Sequence, residues 1–167
     1  KFMLLENCCF GQRELMITSM VKQGVFGDIV HCDGAYAHDI REEIAKGKEN
    51  RHYRLRNYLT RNCENYPTHE LGPIAKLLDI NKGNRFVSLV SVASCSKGLE
   101  AYVKDHLEPD HFLQGKSFNQ ADIVTTVIKC ANGQTVRLSL DTTLPRGYSR
   151  GFSVHGTKGA YFEDNDS

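Results

Sequence analysis

Residues 122–143 read DIVTTVIKCANGQTVRLSLDTT and carry the clearest signal for a β-sheet in this sequence. Two runs rich in β-branched residues, 122–131 and 135–143, flank the dipeptide Asn132-Gly133. Asn-Gly between two such runs is a strong hairpin signal, because both residues tolerate the positive φ that a tight turn needs. Both registers of the first run are apolar or β-branched, so neither face of the predicted sheet suits water. The two registers are Val124, Thr126 and Ile128, and Ile123, Thr125 and Val127.

Helical and extended patterns alternate on either side of this hairpin. Apolar residues at helical spacing predict three helices, and β-branched runs bounded by glycine predict the strands. The order of elements predicts an α+β fold, a single domain over residues 1–167 with an open mixed, mainly antiparallel sheet and helices on one face. The predicted helices are 8–23, 66–78 and 99–107; the predicted strands are 29–36, 86–94 and the hairpin, continued as a meander by 152–155 and 160–162.

One segment, 41–65, fits neither pattern. It is rich in Arg, Asn, Glu and Lys and has little apolar periodicity. We expect a long polar loop here, and such a loop inside a compact domain is often a binding element.

Composition excludes several classes of protein. The chain has 167 residues, 40% apolar and 25% charged, which suffices for one core but has no uncharged apolar run long enough for a membrane span. The formal charge of +1 lacks the basic excess typical of nucleic-acid binding. Six cysteines without a CxxC pair predict free, mostly buried thiols, and no metal site is predicted, because His31-Cys32-Asp33 and His38-Asp39 lack paired ligand spacing.

Polar residues at the ends of predicted elements are the candidates for chemistry, since the sequence contains no GxGxxG, GxxxxGK[ST] or GxSxG motif. Glu6-Asn7 stands at the entry to the first helix, where capping by the Asn is an equal alternative. Gly34-x-Tyr36-x-His38-Asp39 ends a strand, and Tyr66-Pro67-Thr68-His69 opens a helix. A histidine in a first helical turn faces the positive end of the dipole, which favours a neutral, proton-accepting imidazole. Packing and capping remain the plain alternative for this Tyr and His.

Two further segments carry groups suited to a sugar or an anion. The Pro/Gly loop Leu144-Pro145-Arg146-Gly147-Tyr148-Ser149-Arg150 exposes one aromatic ring and two guanidinium groups, and Arg54 offers similar chemistry from the segment 41–65. A solvated hairpin loop is the alternative for the first of these.

Together these motifs resemble the second domain of family 109 glycoside hydrolases, which are NAD-dependent α-N-acetylgalactosaminidases of the glucose-fructose oxidoreductase and inositol dehydrogenase superfamily. The similarity spans nearly the whole chain in order, and the Tyr-Pro-Thr-His-x-Leu-Gly-Pro run at 66–73 is fairly specific. The resemblance implies that a Rossmann domain precedes Lys1, so the chain is expected to be a fragment of a two-domain protein. The compartment stays open, cytoplasmic or exported. The residues that carry the resemblance are Leu4-Leu5-Glu6-Asn7, 34–41, Tyr53-Arg54, 65–74 and 145–149.

The resemblance also implies a redox route to glycoside cleavage. NAD accepts hydride from C3 of the sugar, the ketone acidifies the C2 proton, the C1 group leaves by elimination, water adds and hydride returns. By the same resemblance, His69 and Tyr66 are the acid/base candidates, and Glu6 and Asn7 lie nearest the nicotinamide of NAD. The implied carbohydrate-binding residues are Tyr36, Arg54, Tyr66, Pro67, Thr68, His69 and Tyr148.

Two alternatives remain at this point. The parent protein is a sugar or polyol dehydrogenase of the same superfamily, or the domain is a non-catalytic sheet that mediates dimerisation. In every case the apolar outer register of the 122–143 hairpin predicts a homo-oligomer formed through the sheet face.

Overall fold

The computed structural model describes residues 2–3 and 5–163, and Leu4 of the first motif lies outside them. Within the described residues, a short 3₁₀ helix, Asn7–Phe10, precedes five α-helices and six β-strands. In chain order these are α1 (Gln12–Lys22), β1 (Ile29–Ala37), α2 (Arg41–Ala45), α3 (Tyr53–Thr60), α4 (Thr68–Leu77), β2 (Phe86–Ala93), α5 (Gly98–His106), β3 (Ile123–Cys130), β4 (Thr135–Asp141), β5 (Ser153–Gly156) and β6 (Ala160–Phe162).

The six strands form one mixed sheet in the order β2-β3-β4-β1-β5-β6. The predicted Asn-Gly hairpin is confirmed, because β3 and β4 pair antiparallel with Val127 opposite Arg137. The predicted meander is wrong beyond β4, since β1 lies between β4 and β5, parallel to the first and antiparallel to the second. The loop after β4 crosses the end of β1, where Ser149 pairs with Ala37. This crossing brings Tyr148 towards Tyr36.

The helices cover one face of the sheet, as predicted. Val124 and Ile128 of β3 and Val136 and Leu138 of β4 point into that face and are at most 4% exposed. Burial of these side chains is the main favourable contribution to folding. The opposite register remains open, where Val127 is 40% exposed.

Helix α4 packs directly on β1 at Gly34. A Cβ atom built on Gly34 would lie 2.7 Å from the Cβ of Glu70 and 3.1 Å from Cδ1 of Ile74. Only a residue without a side chain permits this approach of helix to strand. The contact fixes the first turn of α4 beside the end of β1.

The segment 41–65 is not the long polar loop that the sequence predicts. It contains α2 and α3, whose apolar anchors Ile44, Leu55 and Tyr58 are at most 7% exposed. The ring of His52 caps α3 by accepting a hydrogen bond from the backbone N–H of Arg54. The helices were missed because each is short and has few apolar residues among many charged ones.

The first predicted helix is divided at Gly11, which has extended backbone (ψ 148°) between the 3₁₀ helix and α1. Its buried face also differs from the apolar face expected. Glu14 and Ile17 are buried, whereas Phe10 and Met16 are at least 50% exposed. The carboxylate of Glu14 forms an ion pair with Arg150, which compensates for its burial.

All six cysteines are free, as predicted, but only Cys8, Cys32 and Cys130 are buried. Among the described residues no helix has the length and apolar character needed to cross a bilayer.

Two carboxyl groups lie at the start of α4, Glu70 buried in its first turn and Glu64 half-buried just before the helix. Glu70 is 2% exposed, and neither of its carboxyl oxygens has a hydrogen-bond partner among the described residues. Burial, with the nearby negative charge of Glu64, raises the pKa of Glu70 to about 9. Burial also raises the pKa of Glu64 to about 7. Glu70 therefore stays protonated in the folded chain at neutral pH, whereas Glu64 loses its proton in that pH range.

Replacing Glu70 by Gln should change how stability depends on pH. An unfolded Glu70 loses its proton near pH 4.5, whereas the folded chain keeps it up to about pH 9. The contribution of Glu70 to the free energy of unfolding is therefore fully present below pH 4.5. It is lost as the pH rises towards 9, at up to about 1.4 kcal/mol per pH unit. In urea unfolding, Glu70→Gln should gain stability relative to wild type steadily from pH 5 to pH 8.

The matched control is Glu108→Gln, because Glu108 is exposed. Its unfolding curve should follow the wild-type pH dependence. Parallel pH profiles for wild type and Glu70→Gln would show that the Glu70 carboxyl is not held protonated by burial.

Candidate functional site

Three aromatic side chains meet where β1 ends and α4 begins. Tyr36 is the penultimate residue of β1, Tyr66 precedes α4 and His69 lies in its first turn. The ring centroids are 4.6 Å apart for Tyr36 and Tyr66, 4.9 Å for Tyr66 and His69, and 5.5 Å for Tyr36 and His69. Such tilted and edge-to-face geometries are those that aromatic pairs favour. The two predicted acid/base residues therefore share one cluster with Tyr36, a predicted sugar-binding residue.

Arg54 of α3 completes this cluster. Its guanidinium carbon lies 5.0 Å from the centre of the Tyr66 ring, and Nη2 donates a hydrogen bond of 3.3 Å to the Tyr36 hydroxyl. Arg54 is 8% exposed and forms an ion pair with Glu43 of α2. The guanidinium is thus fixed from two sides, which limits its motion and directs its remaining donors.

Glu6 approaches His69 from the other side. Its Oε1 atom lies 2.8 Å from His69 Nδ1, in ion-pair range but outside the geometry of a directed hydrogen bond. The same oxygen accepts a hydrogen bond from the backbone N–H of Cys8, so the side chain that caps the 3₁₀ helix is Glu6 rather than Asn7. Burial by itself would raise the pKa of Glu6, but the hydrogen bonds from Cys8 and Thr68, together with the charge interaction with His69, lower it. A carboxylate therefore stands beside the imidazole.

His38 connects Tyr148 to the cluster. The rings of His38 and Tyr148 are 5.1 Å apart in edge-to-face contact, and His38 Nδ1 lies 3.3 Å from the Tyr36 hydroxyl. Tyr148 itself is 50% exposed. Its loop is held to the end of β4 by an ion pair of 2.6 Å between Arg146 and Asp141. Tyr148 therefore lies at the rim of the cluster.

The remaining predicted residues lie beside the cluster rather than in it. Pro67 and Thr68 line a groove of about 540 Å³ together with Glu6 and an apolar stretch of α4. Asn7 is exposed next to Glu6, and its amide oxygen is 4.0 Å from Sγ of Cys8.

The protonation states of the two phenols bear on their chemistry. Burial raises the pKa of Tyr36 to about 12, and burial also raises the pKa of Tyr66. Both rings are therefore neutral phenols near neutral pH, able to donate a proton and poor at accepting one. Of the two candidate acid/base residues, His69 is the one suited to accept a proton.

Sequence reasoning missed two contributors, Glu43 and Cys8. His38 belongs to the strand-end motif that the sequence singles out, where its spacing from Tyr36 places both side chains on one face, but the sequence assigned it no role in the site. Glu43 pairs with Arg54 across α2 and α3, two helices that the sequence did not predict. Cys8 lies near Glu6 and His69 only through tertiary packing, for which the sequence gives no signal.

Two solved structures with the same fold carry the names of inositol dehydrogenases. Scyllo-inositol dehydrogenase from Lactobacillus casei, solved with bound cofactor NAD(H) and scyllo-inositol, matches with a TM-score of 0.65 at 15% identity over 99% of this chain and 42% of that chain. A putative myo-inositol dehydrogenase from Sinorhizobium meliloti 1021 matches with a TM-score of 0.63 at 17% identity, over 99% of this chain and 42% of that chain. At such identity these matches establish the fold and nothing further.

Sequence relatives are more specific. A glycosyl hydrolase family 109 protein of Parabacteroides distasonis and an alpha-N-acetylgalactosaminidase of Tannerella forsythia are each 40% identical, over 98% of this chain and 39% of the relative. The chain therefore spans about two fifths of the length of these relatives. The family model "Glycosyl hydrolase 109, C-terminal domain" matches residues 10–167. The chain accordingly belongs to glycosyl hydrolase family 109, as its C-terminal domain.

Proposed function

We propose that this chain is the substrate-binding domain of an NAD-dependent glycosidase that cleaves α-N-acetylgalactosaminides. The observation that carries the proposal is the packing of Tyr66 and His69 against Tyr36 and Arg54 in one cluster. An aromatic face, a fixed guanidinium and a phenol suit a ring that carries several hydroxyl groups. The curated relative named alpha-N-acetylgalactosaminidase supports the choice of sugar.

The site favours proton transfer over direct displacement at C1. Retaining and inverting glycosidases of the usual type need two opposed carboxyl groups. In this cluster the residues suited to exchange protons are an imidazole and a phenol. When bound, NAD⁺ supplies a hydride acceptor, so that C3 of the sugar is held transiently as a ketone and the C2 hydrogen becomes acidic.

His69 and Tyr66 have complementary roles in the elimination. His69 accepts the C2 proton, and the Glu6 carboxylate 2.8 Å from Nδ1 stabilises the imidazolium that results. Tyr66, a neutral phenol, donates a proton to an oxygen of the sugar or its leaving group. Arg54 and Tyr36 orient the ring, and Tyr148 covers it from the rim.

Only part of an NAD site fits the residues of this chain. The exposed amide of Asn7 beside Glu6 can donate to and accept from a nicotinamide carboxamide. The described residues offer no glycine-rich phosphate loop, and in this proposal the rest of the nucleotide site lies in another domain. We propose that the chain is one domain of a two-domain protein, and the exposed apolar side chains Phe2, Met3, Leu5 and Phe10, 54–92% accessible, suit contact with that domain.

The decisive experiment is hydrolysis of an aryl α-N-acetylgalactosaminide by the complete protein in D₂O with NAD⁺. Elimination across C1 and C2 requires deuterium at C2 of the released sugar, because the proton that His69 removes is replaced from solvent. His69→Asn should lower turnover by about 10²–10⁴-fold.

The matched control is His106→Asn, since His106 is exposed on α5. It should leave turnover and labelling unchanged. A released sugar without deuterium, or full turnover of His69→Asn, would contradict the proposal. Reduction of NAD⁺ by a free sugar without glycoside cleavage would instead identify a dehydrogenase.

We further propose that the open face of the sheet mediates homodimerisation. Val90 and Val127 are cross-strand partners on this face and are 60% and 40% exposed. Next to these valines, Arg137 Nε lies 2.7 Å from a carboxylate oxygen of Asp33. An apolar patch beside an ion pair resembles the core and rim of a protein interface.

The double variant Val90→Lys/Val127→Lys should convert a dimer into a monomer in sedimentation equilibrium. Charges on both residues of the pair repel across a shared face and oppose its desolvation. Leu15→Lys is the control, because Leu15 is 44% exposed on α1, away from the sheet. A wild-type chain that is monomeric at micromolar concentration, or a dimer that survives the double substitution, would refute the proposal.

A further inference from the structure

Three side chains with different metal-binding chemistry meet where Glu6 contacts His69 in the candidate site. One ligand atom each of Glu6, Cys8 and His69 lies within 4.8 Å of the other two. Glu6 caps the 3₁₀ helix, Cys8 lies in it and His69 lies in α4, and the two helices pack against each other. A carboxylate, a thiol and an imidazole are all common ligands of zinc.

The imidazole nitrogen in this group is not occupied by a directed hydrogen bond. Nδ1 of His69 is buried and has no partner of acceptable geometry among the described residues, although Glu6 Oε1 lies 2.8 Å away. A buried imidazole nitrogen without a hydrogen-bond partner can be satisfied by a hydrogen-bond donor or by a metal cation. We propose that Glu6, Cys8 and His69 form a binding site for Zn²⁺.

The geometry suits a three-residue zinc site with an open fourth position. Zinc bonds of about 2.0–2.3 Å in a tetrahedron place neighbouring ligand atoms about 3.3–3.6 Å apart. Glu6 and His69 need to separate by a few tenths of an ångström, and the thiol to approach by no more than about 1.5 Å. The side chains of His69 and Glu6 are 19% and 18% exposed, which leaves a route for the cation and for a fourth ligand from solvent.

Charge and protons balance at this site. Cys8 coordinates as a thiolate, so its S–H proton passes to solvent when the metal binds. The thiolate and the Glu6 carboxylate then neutralise the two positive charges of zinc, while His69 binds as a neutral ring. Burial raises the pKa of the Cys8 thiol, and the side chain of Arg150, which is also paired with buried Glu14, forms a hydrogen bond with it. Metal binding therefore has to displace this hydrogen bond as well as the thiol proton.

Zinc bound here would compete with the proposed chemistry. Zinc would bind Nδ1 of His69 and the carboxylate of Glu6 at the same time. The His69 ring could then no longer move towards the sugar, and Glu6 could no longer stabilise the imidazolium form of His69. This consequence rests on the proposed function, whereas the metal site itself does not. Zinc bound to Glu6, Cys8 and His69 is therefore expected to inhibit the proposed glycosidase.

Titration of this chain with Co²⁺ tests the site directly, because cobalt bound to a thiolate gives an intense charge-transfer band in the near ultraviolet. The wild-type chain should show this band and should lose it when Zn²⁺ is added. Calorimetry with Zn²⁺ in two buffers of different ionisation enthalpy should detect one proton released. Cys8→Ser should abolish the band and weaken Zn²⁺ binding at least about tenfold.

Cys9→Ser is the matched control, because the neighbouring thiol is not in the group; it should retain the band and the affinity. Glu6→Gln provides a second variant that keeps side-chain shape, and circular dichroism establishes that each variant is folded. Absence of the band in wild type, or its persistence in Cys8→Ser, would overturn the metal site. The D₂O labelling experiment requires no metal, so either result leaves the proposed glycosidase chemistry to its own test.

Discussion

The structure depends on the close contact between α4 and β1 at Gly34. Because Gly34 has no side chain, the helix approaches until Glu70 and Ile74 lie over the strand, and a single Cβ would already be 2.7 Å from Glu70. That contact brings the first turn of α4 to the end of β1. His69 and Tyr66 are held there against Tyr36, two residues along the strand from the glycine, so the site follows from how closely helix and sheet pack.

The same contact has a cost. It encloses the carboxyl group of Glu70, which has no hydrogen-bond partner among the described residues and is held protonated by burial. Leaving a buried polar group unpaired costs about 1–3 kcal/mol. Functional sites commonly retain such locally unfavourable features, and the surrounding core offsets them. Here the two apolar clusters on the covered face supply that compensation.

The sequence was sufficient to predict elements that depend on a short local pattern of residues. Asn132-Gly133 between β-branched runs identified the hairpin, and the Tyr66–His69 run identified a helix start that carries a candidate base. It was insufficient where tertiary packing decides. Helices α2 and α3 form on a few apolar anchors such as Ile44 and Tyr58, and the insertion of β1 between β4 and β5 leaves no local trace. The approach of Glu6 and Cys8 to His69 depends equally on packing between distant segments.

We propose that Tyr66, His69 and Tyr148 form one sugar-binding surface, supported from beneath by the buried side chains of Tyr36 and Arg54. Titration of the isotope-labelled chain with methyl α-N-acetylgalactosaminide, followed by NMR of aromatic and histidine signals, tests for this surface. Saturable shifts are expected at Tyr36, Tyr66, His69 and Tyr148, with the signals of His106 and Tyr102 on α5 unchanged. Shifts confined to the open face of the sheet, around His31 and His155, or no saturable shift at the cluster, would contradict it.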